Sequence, residues 1–241
     1  TLPLHGMLSS LAFNYNHRNK NVRLYELAKV YLPKSLPLTE LPDERVQFTL
    51  GMYGEGDFYV MKGVVEEFFS KAGIRGKLSY DPKAGKTFLH PGRQANIMYH
   101  GEVMGYLGEI HPQVADNYGI GDKAYVAVLD MPVVVKYADF DRKFTGIARF
   151  PAVTRDLSMV VPHEILAGDI EDMIIQRGGK ILESYQLFDV YEGSQIKAGY
   201  KSMAYSVVFR AKDKTLEENE INTAMKKILN GLSSMGIELR Q

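Results

Sequence analysis

From Arg155 to Val161 polar and apolar side chains alternate, the mark of a strand with one buried face. The segments downstream of this strand narrow the fold sharply. Ile165, Ile170, Met173 and Ile174 lie near helical spacing ahead of Gly178-Gly179. Ile181 to Tyr191 reads as a second strand, Glu192-Gly193-Ser194 as a turn, and Lys201 to Arg210 as a third strand. Thr215 and Glu218 have the spacing of a capping box. The helix they would open carries Ile221, Met225, Ile228, Leu229 and Leu232 on one face. Gly236 precedes a short last strand, Ile237 to Arg240. The order βαββαβ predicts a ferredoxin-like split motif: four antiparallel strands with both helices on one side and the other face open.

Period two assigns residues to that open face. With Leu157, Met159 and Val161 turned toward the helices, Asp156 and Ser158 point away. With Phe188 and Val190 inside, Asp189 and Tyr191 are outside. Met203, Tyr205, Val207 and Phe209 inside leave Ser202, Ala204 and Ser206 outside, and Ile237 and Leu239 inside leave Glu238 and Arg240 outside. One aromatic ring, small hydroxyls, a carboxylate and a guanidinium suit the stacking of a base and hydrogen bonding to its edges. An ordinary solvated sheet face has the same composition.

The 241 residues are enough for two domains, each with its own core. Lys plus Arg and Asp plus Glu both total 29, which gives no net charge for bulk polyanion binding. The absence of cysteine excludes disulfides, thiolate metal sites and a thiol nucleophile. No apolar run approaches the roughly 18 residues of a membrane span and no signal peptide opens the chain, so a cytoplasmic protein with no membrane partner is expected. The chain starts on Thr1, which suggests a piece of something longer. Phe144 to Pro151 has neither period and reads as a linker, placing domains at 1–149 and 150–241. The first holds 18 basic and 16 acidic residues, the second 11 and 13.

In the first domain, Leu8 to Tyr15 reads as a helix, Val22 to Leu32 and Val46 to Tyr53 as strands around a proline-marked loop, and Phe58 to Ala72 as an amphipathic helix closed by Gly73. Short strands are expected near 77–80, 94–99, 102–109 and 124–130, with a hairpin turn at His100-Gly101 and a short helix from Pro112. Chemical motifs are missing here. Gly51 to Gly56 lacks dinucleotide spacing and reads as a strand-end turn, and Lys62-Gly63 is no phosphate loop. The six histidines show no metal-ligand spacing, and His90 and His111, each before a proline, mark structured loops. Glu66 and Glu67 read as solvent-facing. No catalytic and no metal-binding residue is expected.

Three segments, Asn21 to Tyr31 (NVRLYELAKVY), Leu89 to Ala95 (LHPGRQA) and Gly105 to Pro112 (GYLGEIHP), resemble the catalytic-like module of bacterial phenylalanyl-tRNA synthetase β subunits. Phe150 to Ser158 (FPAVTRDLS) and Phe188 to Tyr191 (FDVY) resemble that family's C-terminal ferredoxin-like anticodon-binding domain. The resemblance covers essentially the whole chain and implies the C-terminal third or so of a full subunit. It implies an α+β chain in which a class II synthetase-like antiparallel sheet module precedes the βαββαβ domain. The family is a ligase joining phenylalanine to tRNA(Phe) with ATP and Mg²⁺, assembled as (αβ)₂, with the chemistry on the α subunit. This chain would bind no cofactor itself. Arg23 and Glu26, three apart on one strand, fall on opposite faces, whereas a working class II site sets an arginine and a glutamate two apart. Assembly with the α subunit remains for the first module, with Tyr15, Tyr25, Tyr31 and the Leu36 region as candidates beside their ordinary role in a core. For the second domain the resemblance implies anticodon contact on the open face: Tyr191 stacking, Asp189 and Ser202 on base edges, Ser158 permitting close approach, and Arg240 toward base or phosphate. A regulatory module binding an amino acid is the alternative that a βαββαβ fold leaves open.

Overall fold

The computed structural model describes residues 2–144 and 146–240. Two compact units divide it, residues 1–143 and 144–241. Of the expected linker, Thr145 lies outside the described residues, and the rest forms no helix or strand.

Unit 1 starts with helix α1 (Leu4–Asn16) and the hairpin β1 (Val22–Leu32) and β2 (Asp43–Tyr53), continues through helix α2 (Phe58–Lys71) and strands β3 (Ser79–Asp81), β4 (Leu89–Tyr99) and β5 (Glu102–Ile110), and ends with helix α3 (Pro112–Asn117), strand β6 (Ala124–Asp130) and helix α4 (Met131–Tyr137). The strands make one antiparallel sheet in the order β1-β2-β6-β5-β4-β3. Helix α4 had no counterpart among the expected elements; it is one of two short helices that start on a proline-containing turn.

Both faces of this sheet are covered. Helices α1 and α3 pack on the side of Tyr53, Val126 and Val128, while α2 and α4 pack on the side of Met52, Ala127 and Leu129. The first layer is so close that a Cβ on Gly51 of β2 would stand 2.6 Å from Met7 Sδ of α1. The β4–β5 turn uses His100 and Gly101 at φ +48° and +80°, the left-handed pair that a two-residue hairpin requires. His111 lies in the expected structured loop and caps α3, whereas His90 falls inside strand β4, against expectation; the ring Nδ1 of each accepts a backbone N–H two residues on, from Gly92 at 3.1 Å and Gln113 at 3.3 Å. Glu66 departs from its expected solvent role, since its carboxylate accepts from Tyr80 Oη at 3.0 Å and Lys62 Nζ at 2.6 Å.

Unit 2 runs β7 (Val153–Pro162), α5 (Ala167–Gly178), a 3-10 turn at Gly179–Ile181, β8 (Leu182–Tyr191), β9 (Tyr200–Phe209), α6 (Glu218–Ser234) and β10 (Glu238–Leu239). Its sheet order is β10-β7-β9-β8, antiparallel throughout. The core joins Leu157, Met159 and Val161 of β7 and Met203, Tyr205, Val207 and Phe209 of β9 to Ile170 and Ile174 of α5 and Ile221, Ile228 and Leu232 of α6. This is the expected ferredoxin-like layout. Burial pushes the Tyr205 hydroxyl far above the ordinary phenol range.

Three local expectations need correction. Helix α6 starts two residues after the expected cap: Glu217, not Thr215, precedes it, and the Glu220 carboxylate accepts the Glu217 N–H at 3.1 Å. Strand β8 does not keep a single alternation. Its register with β9 slips between Leu187 and Asp189, so Phe188 is an extra, bulged residue. Tyr185 and Leu187 therefore serve the core and Phe188 is 55% exposed, while Val190 keeps its expected side opposite buried Met203 but is 50% exposed near the strand end. Finally, Leu239 aligns with buried Met159 yet is 51% exposed, because β10 is a two-residue edge strand with little laid over it.

Candidate nucleic-acid interface

Cross-strand partners share a face of a sheet, so the registers of β7, β8 and β9 define the open face row by row. Asp156, Ser206 and Gln186 form one row, Ser158, Ala204 and Asp189 the next, and Val160, Ser202 and Tyr191 the third. The Arg240 N–H donates to the Ser158 carbonyl at 2.9 Å, which carries the chain on past β10 alongside β7. All five sequence-predicted residues thus fall within two adjacent rows and the edge next to them. The bulge is what brings two of them there. Leu187 aligns with buried Tyr205, so strict alternation from Leu187 would have turned Asp189 and Tyr191 toward the helices.

The face is a trough with a low floor. Its floor is β9, whose small side chains Ser202 and Ala204 are buried at 4% and 7% exposure between taller neighbours. Asp189 and Tyr191 on β8 form one wall, and Ser158 with Arg240 the other. Three strands at about 4.8 Å spacing set the two outer backbones roughly 10 Å apart, with the side chains on them narrowing the gap over the floor. Ser202 is accordingly a correction to the exposed hydroxyl expected from parity: it is in the floor, and its Oγ accepts from Arg240 Nη1 at 3.4 Å. Asp189, Ser158 and Arg240 are exposed, and Tyr191 is 39% exposed. Acceptor, donor and aromatic ring surround a floor of one methyl and one hydroxyl group, a combination chemically suited to holding an unpaired base.

Unit 1 carries a pocket between α1 and β1, lined among others by Met7, Ser10, Phe13, Leu24, Tyr25 and Glu26. Arg23 aligns with Met52 and Glu26 with Thr49, which puts them on opposite faces as expected, and Arg23 Nη2 donates to the Glu55 carbonyl at 3.4 Å. These residues do not fit a nucleotide grip, and α1 lies on the face that Glu26 shares with Thr49 and Gly51. Among the described residues no group of three or more His, Asp or Glu side chains could hold a metal, and no helix is long and apolar enough to cross a membrane. The candidate aromatics separate clearly. Tyr25 and Tyr31 of β1 are 75% and 51% exposed and Leu36 is 81% exposed, whereas Tyr15 packs into the α1 side of the core. Sequence reasoning did not single out Leu27, Leu38 and Leu41, at 61%, 64% and 85% exposure, the first on the Tyr25 and Tyr31 side of β1 and the other two in the loop after it; the alternation of Tyr25, Leu27 and Tyr31 is the signal that could have found the first of them.

Comparison with known proteins agrees with this division. Residues 1–131 match the family model described as phenylalanyl tRNA synthetase beta chain CLM domain, and residues 148–240 match the ferredoxin-fold anticodon binding domain. The whole chain is 43% identical to the phenylalanine–tRNA ligase beta subunit of Clostridium tetani and 40% identical to that of Clostridium acetobutylicum. In both cases it spans 30% of the relative's length. Among solved structures, a pyrrolysyl tRNA synthetase from Desulfitobacterium hafniense is similar to 56% of the chain and 48% of its own at 12% identity, with a TM-score of 0.45. The chain therefore belongs to the phenylalanyl-tRNA synthetase beta chain family, with its CLM domain followed by a ferredoxin-fold anticodon binding domain.

Proposed function

We propose that this chain is the part of a phenylalanine–tRNA ligase β subunit that recognises the anticodon of tRNA(Phe) and supports assembly with the α subunit, without catalysing a step itself. The observation that carries the first role is the trough of unit 2, where Tyr191 and Asp189 face Ser158 and Arg240 across a floor of Ser202 and Ala204. In this reading Tyr191 stacks on a base, Asp189 accepts from its edge, the small Ser158 lets the base approach, and Arg240, already bonded to Ser202, donates to base or phosphate. The second role rests on the exposed apolar side chains of β1 and the loop after it, Tyr25, Leu27, Tyr31, Leu36, Leu38 and Leu41, a surface that a partner subunit would cover. The assembly is (αβ)₂ in this reading, and ATP and Mg²⁺ serve the α subunit, since neither Arg23 nor Glu26 is placed to grip a nucleotide.

The test is tRNA aminoacylation by the complete ligase carrying Tyr191→Ala. Loss of one stacked base is worth roughly 1–3 kcal/mol, so about a tenfold rise in KM for tRNA(Phe) is expected, with ATP–pyrophosphate exchange unchanged. Equal KM values for parent and variant, and equal discrimination against an anticodon-swapped tRNA, would remove the anticodon role.

A further inference from the structure

Tyr191 is the last residue of β8, and its ring does not stand free. A Cβ built on Gly193 would lie 2.3 Å from Tyr191 Oη, 2.6 Å from Cζ and 3.1 Å from Cε1. Contacts below 3.0 Å do not persist between such atoms, so the ring occupies space that only a glycine leaves open. Backbone conformation is not the reason for this glycine. Gly199 in the same β8–β9 connection has φ +84°, whereas Gly193 is outside the left-handed region and its backbone suits any residue.

We infer that Gly193 is a positioning residue for anticodon recognition, holding open the space in which the Tyr191 ring rests beside the trough. The inference rests on the anticodon reading of the open face. Its physical basis is an asymmetry in what can yield. The Gly193 carbonyl accepts the Ile196 N–H at 2.9 Å, which pins the turn. The ring is the far end of a side chain that is 39% exposed and turns about two torsions, so it gives way before the backbone does. A methyl group at position 193 is therefore relieved by displacing the ring, at little cost to the fold. The ring's direction also decides access to the floor, because Tyr191 is the direct cross-strand partner of Ser202, which Arg240 reaches from the other side.

The experiment compares Gly193→Ala, Tyr191→Ala and the double variant in the complete ligase, reading KM for tRNA(Phe), kcat, ATP–pyrophosphate exchange and the melting temperature. Gly193→Ala is expected to raise KM about threefold or more, within the roughly tenfold change of Tyr191→Ala, while exchange and melting stay at parent values. The double variant should match Tyr191→Ala alone, since a residue acting through the ring has nothing to position once the ring is gone. A parent-like KM for Gly193→Ala beside a raised one for Tyr191→Ala overturns the inference and leaves the anticodon reading standing. A double variant worse than Tyr191→Ala overturns it as well, by giving Gly193 an effect of its own. A parent-like KM for Tyr191→Ala removes the anticodon reading and the inference together.

Discussion

Single side chains in unit 1 separate polar burial that is matched from polar burial that is not. Glu109 is 4% exposed, and both its carboxylate oxygens accept from Arg93 Nη1 at 3.0 Å. Arg93 is itself nearly half exposed and the Tyr125 hydroxyl also bonds Glu109, so Arg93→Met is expected to destabilise the chain by about 1–2 kcal/mol in urea denaturation; a change below about 0.5 kcal/mol would show that solvent and Tyr125 suffice for Glu109. Thr49 is the opposite case. It is fully buried and its Oγ1 has no partner, as is true of Gln47 Oε1, Asp130 Oδ1 and Tyr106 Oη among the described residues. Register puts all four on the α1 side of the sheet, and burial pushes the Tyr106 phenol up to about 12. Thr49→Val keeps the shape and removes the unmet hydroxyl, so it should stabilise by about 1 kcal/mol. Destabilisation instead would mean that a buried water bonds this hydroxyl.

At the scale of elements, period-two reading was reliable wherever a strand ran straight. It placed Leu157, Met159 and Val161 of β7 and the core residues of β9 on the correct side, and gave β1 its bounds. It failed where the backbone adds a residue or shifts a cap, because neither event changes residue type. Phe188 looks like a core aromatic in sequence, and only the slip against β9 reveals that it interrupts the ladder. The open-face positions of Asp189 and Tyr191 were thus anticipated through an alternation that holds only beyond the bulge. Deleting Phe188 should close the bulge with Leu187 still opposite Tyr205 and Asp189 opposite Ala204, so both side chains stay on the open face and KM for tRNA(Phe) should remain within about twofold of the parent value; a rise as large as that of Tyr191→Ala would show that the strand slips by one residue instead. The start of α6 gives a pH dependence. A hydrogen bond from Lys214, then one from the Glu217 amide, holds the Glu220 carboxyl below its ordinary 4.5. A depressed acid stabilises the folded form above its unfolded value and loses that contribution as pH falls through the folded one. Amide exchange at Glu217 should therefore accelerate, relative to mid-helix amides, as pH drops below 4.5; a constant ratio would show that the cap contributes nothing.

Taken as a whole, the molecule has two units with separate cores and different kinds of exposed surface. Unit 1 covers both faces of its sheet and leaves an apolar fringe along β1, whereas unit 2 covers one face and leaves the other open. Basic and acidic residues in 150–241 number 11 and 13, so binding by this unit cannot rest on a surplus of positive charge. Phosphate contacts weaken steeply with salt, and stacking does not. The ratio of KM between Tyr191→Ala and parent should therefore hold nearly constant from about 50 to about 200 mM salt, on the order of twofold variation, even while both values rise. A ratio collapsing toward one would assign the Tyr191 effect to phosphate attraction.

The bulge at Phe188 also bears on how such a domain can diversify. A sheet has two sides but one chain, and a bulge takes up one extra residue while every residue beyond it keeps its partner and its side. The count of residues ahead of Asp189-Val190-Tyr191 is thereby uncoupled from the side they face: with Phe188 or without it, the three can meet Ala204, Met203 and Ser202. A lineage can then gain or lose a codon at this point and keep the same side chains on the open face.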